Sequence, residues 1–173
     1  MTVRIVGSKK LRIVRTTIPR DCTQAAREGA SVFISSATAS RIEEESLSSL
    51  SASKETMGLL YGFPFSYGGR PMVRVSGSVC LPTVASSIHV SVDHGGELPA
   101  GAGVQEGSVV VGWYHSHTGV GNFMSGTDEA THGRWFSSPH AVSIVFDAVE
   151  KSMAAYRMED GKIVRVGLAI YRG

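Results

Sequence analysis

The sequence has little of what marks several large classes of protein. It contains 2 cysteines among 173 residues, without CxxC spacing, which argues against a disulfide framework and against a cysteine zinc knuckle. A net charge of +2, with no basic tract interleaved with aromatic residues, argues against a nucleic-acid partner. No apolar stretch approaches membrane-spanning length, and the N-terminus lacks the apolar core of a signal peptide. We therefore expect a cytoplasmic protein with no membrane partner.

What the sequence does contain is typical of one globular domain. Hydrophobic residues make up 42% of the chain and charged residues 18%, and the length suits a single core. Apolar and alternating runs predict strands at residues 2–6, 11–14, 32–35, 56–61, 72–80, 87–92, 109–114, 141–148, 153–158 and 163–171. Helices are predicted at 21–28, 36–50 and 125–135, a loop at 93–107, and a type I′ hairpin turn at Asp160-Gly161.

The densest chemistry in the sequence directly follows the apolar run 109–114. His115 and His117 are two residues apart, so in an extended chain both side chains point the same way. Ser125 and Asp128 open the next predicted helix, whose first turn could fold back over the histidines. Two imidazole nitrogens and one carboxylate oxygen, with a fourth position open, form the ligand set of a catalytic zinc site.

Each part of this pattern also has a simpler interpretation. Ser125-x-x-Asp128 is a common helix N-cap pattern, and a capped first turn would also fix the position of the carboxylate. His132, one helical turn beyond Asp128, is an alternative ligand, although a histidine on a helix face is more often solvated. The remaining histidines lack partner spacing and are interpreted as structural or surface residues: His89, His94 and His140. The combination of fixed positions favours the metal site.

These residues resemble the motif of the JAMM (MPN+) zinc metalloproteases. His115-Ser116-His117-x7-Ser125-x2-Asp128 matches it in every fixed position, and Glu55-Thr56-Met57-Gly58-Leu59-Leu60-Tyr61-Gly62 matches the upstream Glu-x-x-Gly-Leu-Leu-x-Gly. Residues 111–117, and 32–36 leading into a helix, look like the proteasome-lid deubiquitinase branch of the family. The resemblance covers roughly 31–172, and the lack of long C-terminal helices suggests a stand-alone or prokaryotic-type member.

The resemblance implies a fold and a domain organisation. The family has an α/β fold, the MPN or cytidine-deaminase-like fold, in which helices flank a mixed, curved β-sheet. Residues 31–173 would form the catalytic domain. Residues 1–30 would be an N-terminal extension of short strands and a short helix.

The resemblance also implies an activity and roles for individual residues. One Zn²⁺ would be bound by His115, His117 and Asp128, with Glu55 as the general base and Ser125 as a hydrogen-bond donor to the oxyanion. The substrate would be the isopeptide bond between a ubiquitin-like modifier ending in Gly-Gly and a lysine. Residues 81–92 would clamp the modifier's tail. Expected partners are conjugates of ubiquitin-like proteins and the proteasome or its regulatory ATPase.

Three departures from the family concern the surroundings of the site. Thr118 stands where proline is usual, Asn122-Phe123 replace a bulkier or cysteine-containing pair, and the segment after Val79 is short and rich in glycine. Two other functions remain open: a peptidase that processes a ubiquitin-like or sulfur-carrier precursor, and a non-catalytic scaffold. The complete set of motif residues argues against the scaffold, and the Gly-Trp-Tyr-His-Ser-His run favours the isopeptidase.

Overall fold

The computed structural model describes residues 20–81 and 104–172. Within these ranges the chain forms three helices and seven strands. In chain order they are α1 Arg20–Arg27, β1 Ala30–Ser35, α2 Ser36–Leu50, β2 Met57–Tyr67, β3 Arg70–Leu81, β4 Val109–His117, α3 Gly126–Trp135, β5 Val142–Asp147, β6 Ser152–Glu159 and β7 Lys162–Tyr171.

The strands form a closed barrel in the order β1-β3-β2-β4-β5-β6-β7, with β7 pairing back to β1. The β1–β3, β1–β7 and β4–β5 pairs are parallel, and the other four pairs are antiparallel. A sheet that closes into a barrel has no strand with a free edge. Strand β4, which carries the two histidines of the motif, lies between β2 and β5.

The predicted fold class, an α/β MPN fold with helices flanking a curved sheet, was wrong. The described residues form a closed mixed barrel that is built mostly of strands and has few helices. Closure depends on the close approach of β7 to β1, and Gly167 permits it. A Cβ atom at Gly167 would lie 2.6 Å from the carbonyl oxygen of Gly29 and 2.8 Å from the Cα of Ala30. No local sequence pattern indicates that the first and last strands pair.

The largest apolar cluster joins α2 to the barrel strands. Ile42 of α2 is fully buried in it, together with side chains of β1 to β6 such as Val32, Leu60, Val73, Tyr114, Ile144 and Ala155. Helix α2 contacts β1, β3, β5 and β7, so it lies across the barrel and not along one strand pair. A second cluster packs α1 against Phe33 and Met72, and a third surrounds Trp113.

The local predictions agree with the structure over most elements. Helix α2 begins and ends as predicted, and Asp160 and Gly161 both have positive φ, 49° and 77°, as a type I′ turn requires. Strand β2 is longer than predicted, since it continues through Pro64 to Tyr67. The predicted strands 2–6, 11–14 and 87–92 and most of segments 81–92 and 93–107 lie outside the described residues. The domain boundary after residue 30 stays a prediction. Among the described residues, no helix is long and apolar enough to cross a membrane.

Candidate metal centre

The two histidines of the motif lie at the carboxyl end of β4 and point to the same side. Their ring centroids are 5.0 Å apart, and both side chains are buried. Ser116 lies between them and is bonded to the start of β2: its hydroxyl oxygen accepts from the N–H of Thr56 at 2.8 Å, and its own N–H donates to the Thr56 carbonyl at 2.8 Å. The alternation of an extended strand thus brings the imidazoles together, as predicted.

The third motif residue, Asp128, reaches the histidines from the first turn of α3. Ser125 is the N-cap: its hydroxyl oxygen accepts from the Asp128 N–H at 3.3 Å, and its own N–H donates to Asp128 Oδ2 at 2.8 Å. This reciprocal capping box fixes the carboxylate at the start of the helix. Asp128 Oδ2 then lies 3.4 Å from His115 Nε2 and 3.9 Å from His117 Nε2.

These three side chains form a group that could hold a metal ion. Their candidate ligand atoms all lie within 4.8 Å of one another. In a tetrahedral zinc site with bonds of about 2.0–2.2 Å, two ligand atoms are separated by about 3.4 Å. The distances from Asp128 Oδ2 to the two imidazole nitrogens, 3.4 Å and 3.9 Å, are close to this value. Among the described residues, both ring nitrogens of the buried His115 also lack a hydrogen-bond partner. Buried polar atoms without a partner are costly, and a bound metal ion would satisfy one of them.

The electrostatic environment keeps the Asp128 carboxylate ionised. Burial raises its pKa, but the His115 imidazole and the hydrogen bonds from Ser125 outweigh burial and lower the pKa to about 2. A metal ligand has to be deprotonated, so the charged carboxylate suits this role at neutral pH. The Asp128 side chain is 16% exposed, whereas those of His115 and His117 are 3% and 5% exposed. The group is therefore open to solvent on the side of the carboxylate.

The orientation of His117 is fixed by the loop that follows β4. His117 Nδ1 donates a hydrogen bond to the Gly121 carbonyl oxygen at 2.5 Å. A carbonyl cannot donate, so Nδ1 carries the proton and Nε2 is left with a free lone pair. Such an outer hydrogen bond is typical of histidines that bind metals.

Glu55, the predicted general base, lies just before β2 and is exposed. In the β2–β4 ladder Met57 is opposite His115, and Thr56 exchanges hydrogen bonds with Ser116. If this register is extended by one residue, Glu55 is opposite His117, and residues that are opposite in an antiparallel pair share a face. The strand pairing thus brings the chain just before β2 to the end of β4 that carries the histidines, and Glu55 is not one of the three potential ligands.

His132 does not join this group, and its interpretation as a solvated helix-face residue was wrong. Its side chain is fully buried, and Nδ1 lies 2.6 Å from the hydroxyl oxygen of Ser143 on β5. Burial lowers its pKa to about 4. His132 therefore attaches α3 to the barrel. His140 is half-buried next to β5, while His89 and His94 lie outside the described residues.

Sequence reasoning missed a fully buried carboxylate beside the site, Asp147. It is the last residue of β5 and pairs in register with His117. The available signal was a single acidic residue at the end of an otherwise almost wholly apolar strand, Val-Ser-Ile-Val-Phe-Asp. Buried acids of this kind are rare unless they are hydrogen-bonded.

Three exposed apolar side chains, which we call the apolar rim, follow the two strands that end at the candidate metal centre: Val120 and Phe123 after β4, and Val149 after β5. These side chains are 63%, 49% and 59% exposed. The Phe123 ring stands edge-on to His117, with centroids 5.2 Å apart. The neighbouring Asn122 holds the loop in place, since its side chain donates to Ser152 and its carbonyl accepts from the Tyr156 hydroxyl. Phe123 is one of the positions at which the chain departs from the JAMM pattern.

Comparisons with known proteins support the fold and not the function. No protein-family model matches the chain, and no curated protein does. Among solved structures, the chain is similar to the solution structure of protein DSY2949 from Desulfitobacterium hafniense, with a TM-score of 0.55 and 16% identity. The match covers 82% of this chain and 94% of that one. At this identity the likeness shows a shared fold alone.

Proposed function

We propose that this protein is a zinc-dependent isopeptidase that releases a ubiquitin-like modifier from a lysine side chain. The observation that carries the proposal is the convergence of His115, His117 and Asp128 at the end of β4, with their ligand atoms within 4.8 Å. The resemblance of these residues, Ser125 and Glu55 to the JAMM motif supports the choice of metal and of reaction.

The chemistry is divided between the metal and residues of the chain. Zinc held by His115, His117 and Asp128 would lower the pKa of a water molecule to about 7 and polarise the scissile carbonyl. The Glu55 carboxylate would take the proton of that water and pass it to the departing lysine amine. The Ser125 hydroxyl accepts a hydrogen bond from the Asp128 N–H, so its own proton is free to stabilise the oxyanion.

Exposed apolar side chains near the site favour a protein substrate. The apolar rim of Val120, Phe123 and Val149 is exposed, and its Phe123 ring contacts His117 of the cluster. An exposed apolar surface next to a reactive centre is a common feature of sites that bind other proteins. A tail ending in Gly-Gly carries no side chains at the scissile bond, so it would need little room beside the metal.

The test is hydrolysis by the zinc-loaded protein of two substrates that carry the same ubiquitin-like modifier. In one the modifier is joined to a lysine ε-amine, and in the other it is fused linearly to a peptide. We expect cleavage of the lysine-linked form, loss of cleavage on chelation, and no cleavage when a bulky residue replaces the penultimate glycine. A strong preference for the linear fusion would favour the precursor-processing function. Indifference to the glycine replacement would contradict the substrate class.

A further inference from the structure

Asp147 is a buried carboxylate whose partners are backbone N–H groups. Its side chain is fully buried, and among the described residues no lysine or arginine forms an ion pair with it. One oxygen, Oδ1, accepts from the N–H groups of Val149 at 2.9 Å and Glu150 at 2.8 Å. The other, Oδ2, accepts from the N–H of Gly121 at 2.6 Å. Burial raises the pKa of Asp147, but these backbone hydrogen bonds outweigh it and lower the pKa, so the carboxylate stays charged.

The hydrogen bond to Gly121 links Asp147 to the ring of His117. Gly121 donates its N–H to Asp147 Oδ2, and its carbonyl oxygen accepts from His117 Nδ1 at 2.5 Å. Gly121 has a φ of 92°, a conformation that glycine adopts without strain. The backbone of His117 is held as well, because its carbonyl accepts from the N–H of Ala148 at 2.9 Å. The end of β5 thus fixes both the main chain and the imidazole of one potential ligand.

We propose that Asp147 is a positioning residue that, through Gly121, holds His117 in the tautomer with the proton on Nδ1 and so directs Nε2 toward the metal. Asp147 is not one of the three potential ligands. The inference deepens the proposed function, since it concerns the same site. Its first consequence, the tautomer of His117, is nevertheless a property of the metal-free protein.

Asp147→Asn separates the two sets of hydrogen bonds. The amide oxygen can still accept from Val149 and Glu150, whereas the amide NH₂ then faces the N–H of Gly121, donor against donor. The turn after β5 is kept and the hydrogen bond from the Gly121 N–H is lost, while the bonds of Asn122 to Ser152 and Tyr156 remain. We expect zinc affinity to fall by about 10-fold to 100-fold, the usual effect of losing an outer-shell partner of a metal-binding histidine.

The experiment is nitrogen NMR of the ring of His117 in the metal-free protein at about pH 8, above the usual imidazole pKa. In the wild type we expect the proton on Nδ1. In Asp147→Asn we expect loss of that preference, together with the fall in zinc affinity measured by competition with a chelator. Asp160→Asn is the matched control, because Asp160 lies in the remote β6–β7 turn and asparagine tolerates its φ of 49°. This control should change neither the tautomer of His117 nor the zinc affinity.

Gly121→Ala provides a second route if Asp147→Asn does not fold. A side chain at a φ of 92° is strained, so the loop should shift while Asp147 stays intact; the new Cβ itself has room, since the Phe123 ring is 3.7 Å away. The same loss of the His117 tautomer is expected. An unchanged tautomer and unchanged zinc affinity in a folded Asp147→Asn or Gly121→Ala protein would overturn the inference. If the tautomer and the zinc affinity both change in these variants while the wild type hydrolyses neither substrate, the inference stands and the proposed isopeptidase fails.

Discussion

The Asp128 carboxylate combines a structural contact with the proposed metal contact. Oδ2 accepts the Ser125 N–H at 2.8 Å and lies 3.4 Å from His115 Nε2. The helix cap and the metal site are therefore not competing interpretations of Ser125-x-x-Asp128. The capping box confirms the interpretation as a helix cap. It also holds the carboxylate where the proposed metal site needs it.

Glu55 is expected to act as a base and not as a ligand. Glu55→Gln keeps the shape of the side chain but cannot accept a proton, so turnover should fall by about 10² to 10⁴ while zinc remains bound. Hydrolysis rate and zinc content are measured on the same sample. Glu44→Gln, at an exposed position on α2, is the control and should change neither the hydrolysis rate nor the zinc content. Near wild-type turnover in Glu55→Gln would make Glu55 a surface residue, and loss of zinc would make it a ligand.

At the scale of residues, the sequence predicts what depends on short spacings. The convergence of His115 and His117 follows from strand alternation, and the position of Asp128 from a helix cap of four residues. Asp147 could not be assigned in the same way. Its contact with Gly121 spans 26 residues and depends on the parallel pairing of β4 with β5.

At the scale of elements, α3 is held at both ends. The capping box fixes its first turn, and in its last turn the buried His132 bonds to Ser143 on β5. Phe136, the C-cap residue, stacks on Trp113 of β4 with ring centroids 6.3 Å apart. The helix that carries Asp128 is therefore attached to β4, which carries the histidines, and to the neighbouring β5.

The attachment through His132 should make stability depend on pH. Burial lowers the pKa of His132 from its ordinary value of 6.5 to about 4 in the folded protein, so between these values the unfolded chain binds a proton that the folded chain excludes. Stability should therefore fall as the pH drops from about 6.5 to 4, by on the order of 3 kcal/mol from this residue.

This dependence is measured by urea unfolding with chelator present at several pH values. The double variant His132→Leu/Ser143→Ala removes the titrating group without leaving its buried partner unsatisfied. Its free energy of unfolding should vary less with pH over this window than that of the wild type. Identical pH profiles in both proteins would show that His132 becomes protonated without cost.

Element boundaries were predicted well where a local sequence signal sets them, and poorly where the pairing of strands sets them. Ser35 accepts the N–H of Thr38 as the N-cap of α2, and a cap of this kind is visible in the sequence. Strand β2 was predicted to end at Tyr61 and instead continues past Pro64. Its ladder with β4 ends at Gly62, so Pro64 needs no N–H on that side.

At the scale of the whole molecule, barrel closure depends on the lack of a side chain at Gly167. Gly167→Val would place a side chain against the backbone of Gly29 and Ala30, 2.6 to 2.8 Å from the new Cβ. We expect a loss of stability of about 1–3 kcal/mol, typical of overpacking. Zinc affinity should be kept, since β2, β4 and β5 surround the candidate centre and β7 does not.

Thermal and urea unfolding measure this effect. Gly126→Ala is the control, because a Cβ there has no atom within 4 Å. An unchanged midpoint in Gly167→Val would mean that the barrel opens at the β1–β7 pair without cost. The closed barrel was not predictable from the sequence, because the β1–β7 pair joins the two ends of the described fold. Neither strand carries a local signal for its partner.

The most direct measurement of the central claim is the zinc content of the purified protein and its ligand variants. The wild type should bind one zinc ion per chain, whereas His115→Ala and Asp128→Ala should lose it, because two remaining ligands cannot hold the ion. Glu129→Gln, next to Asp128 on the exposed side of α3, should keep it. No zinc in the wild type, or undiminished zinc in both ligand variants, would contradict the account.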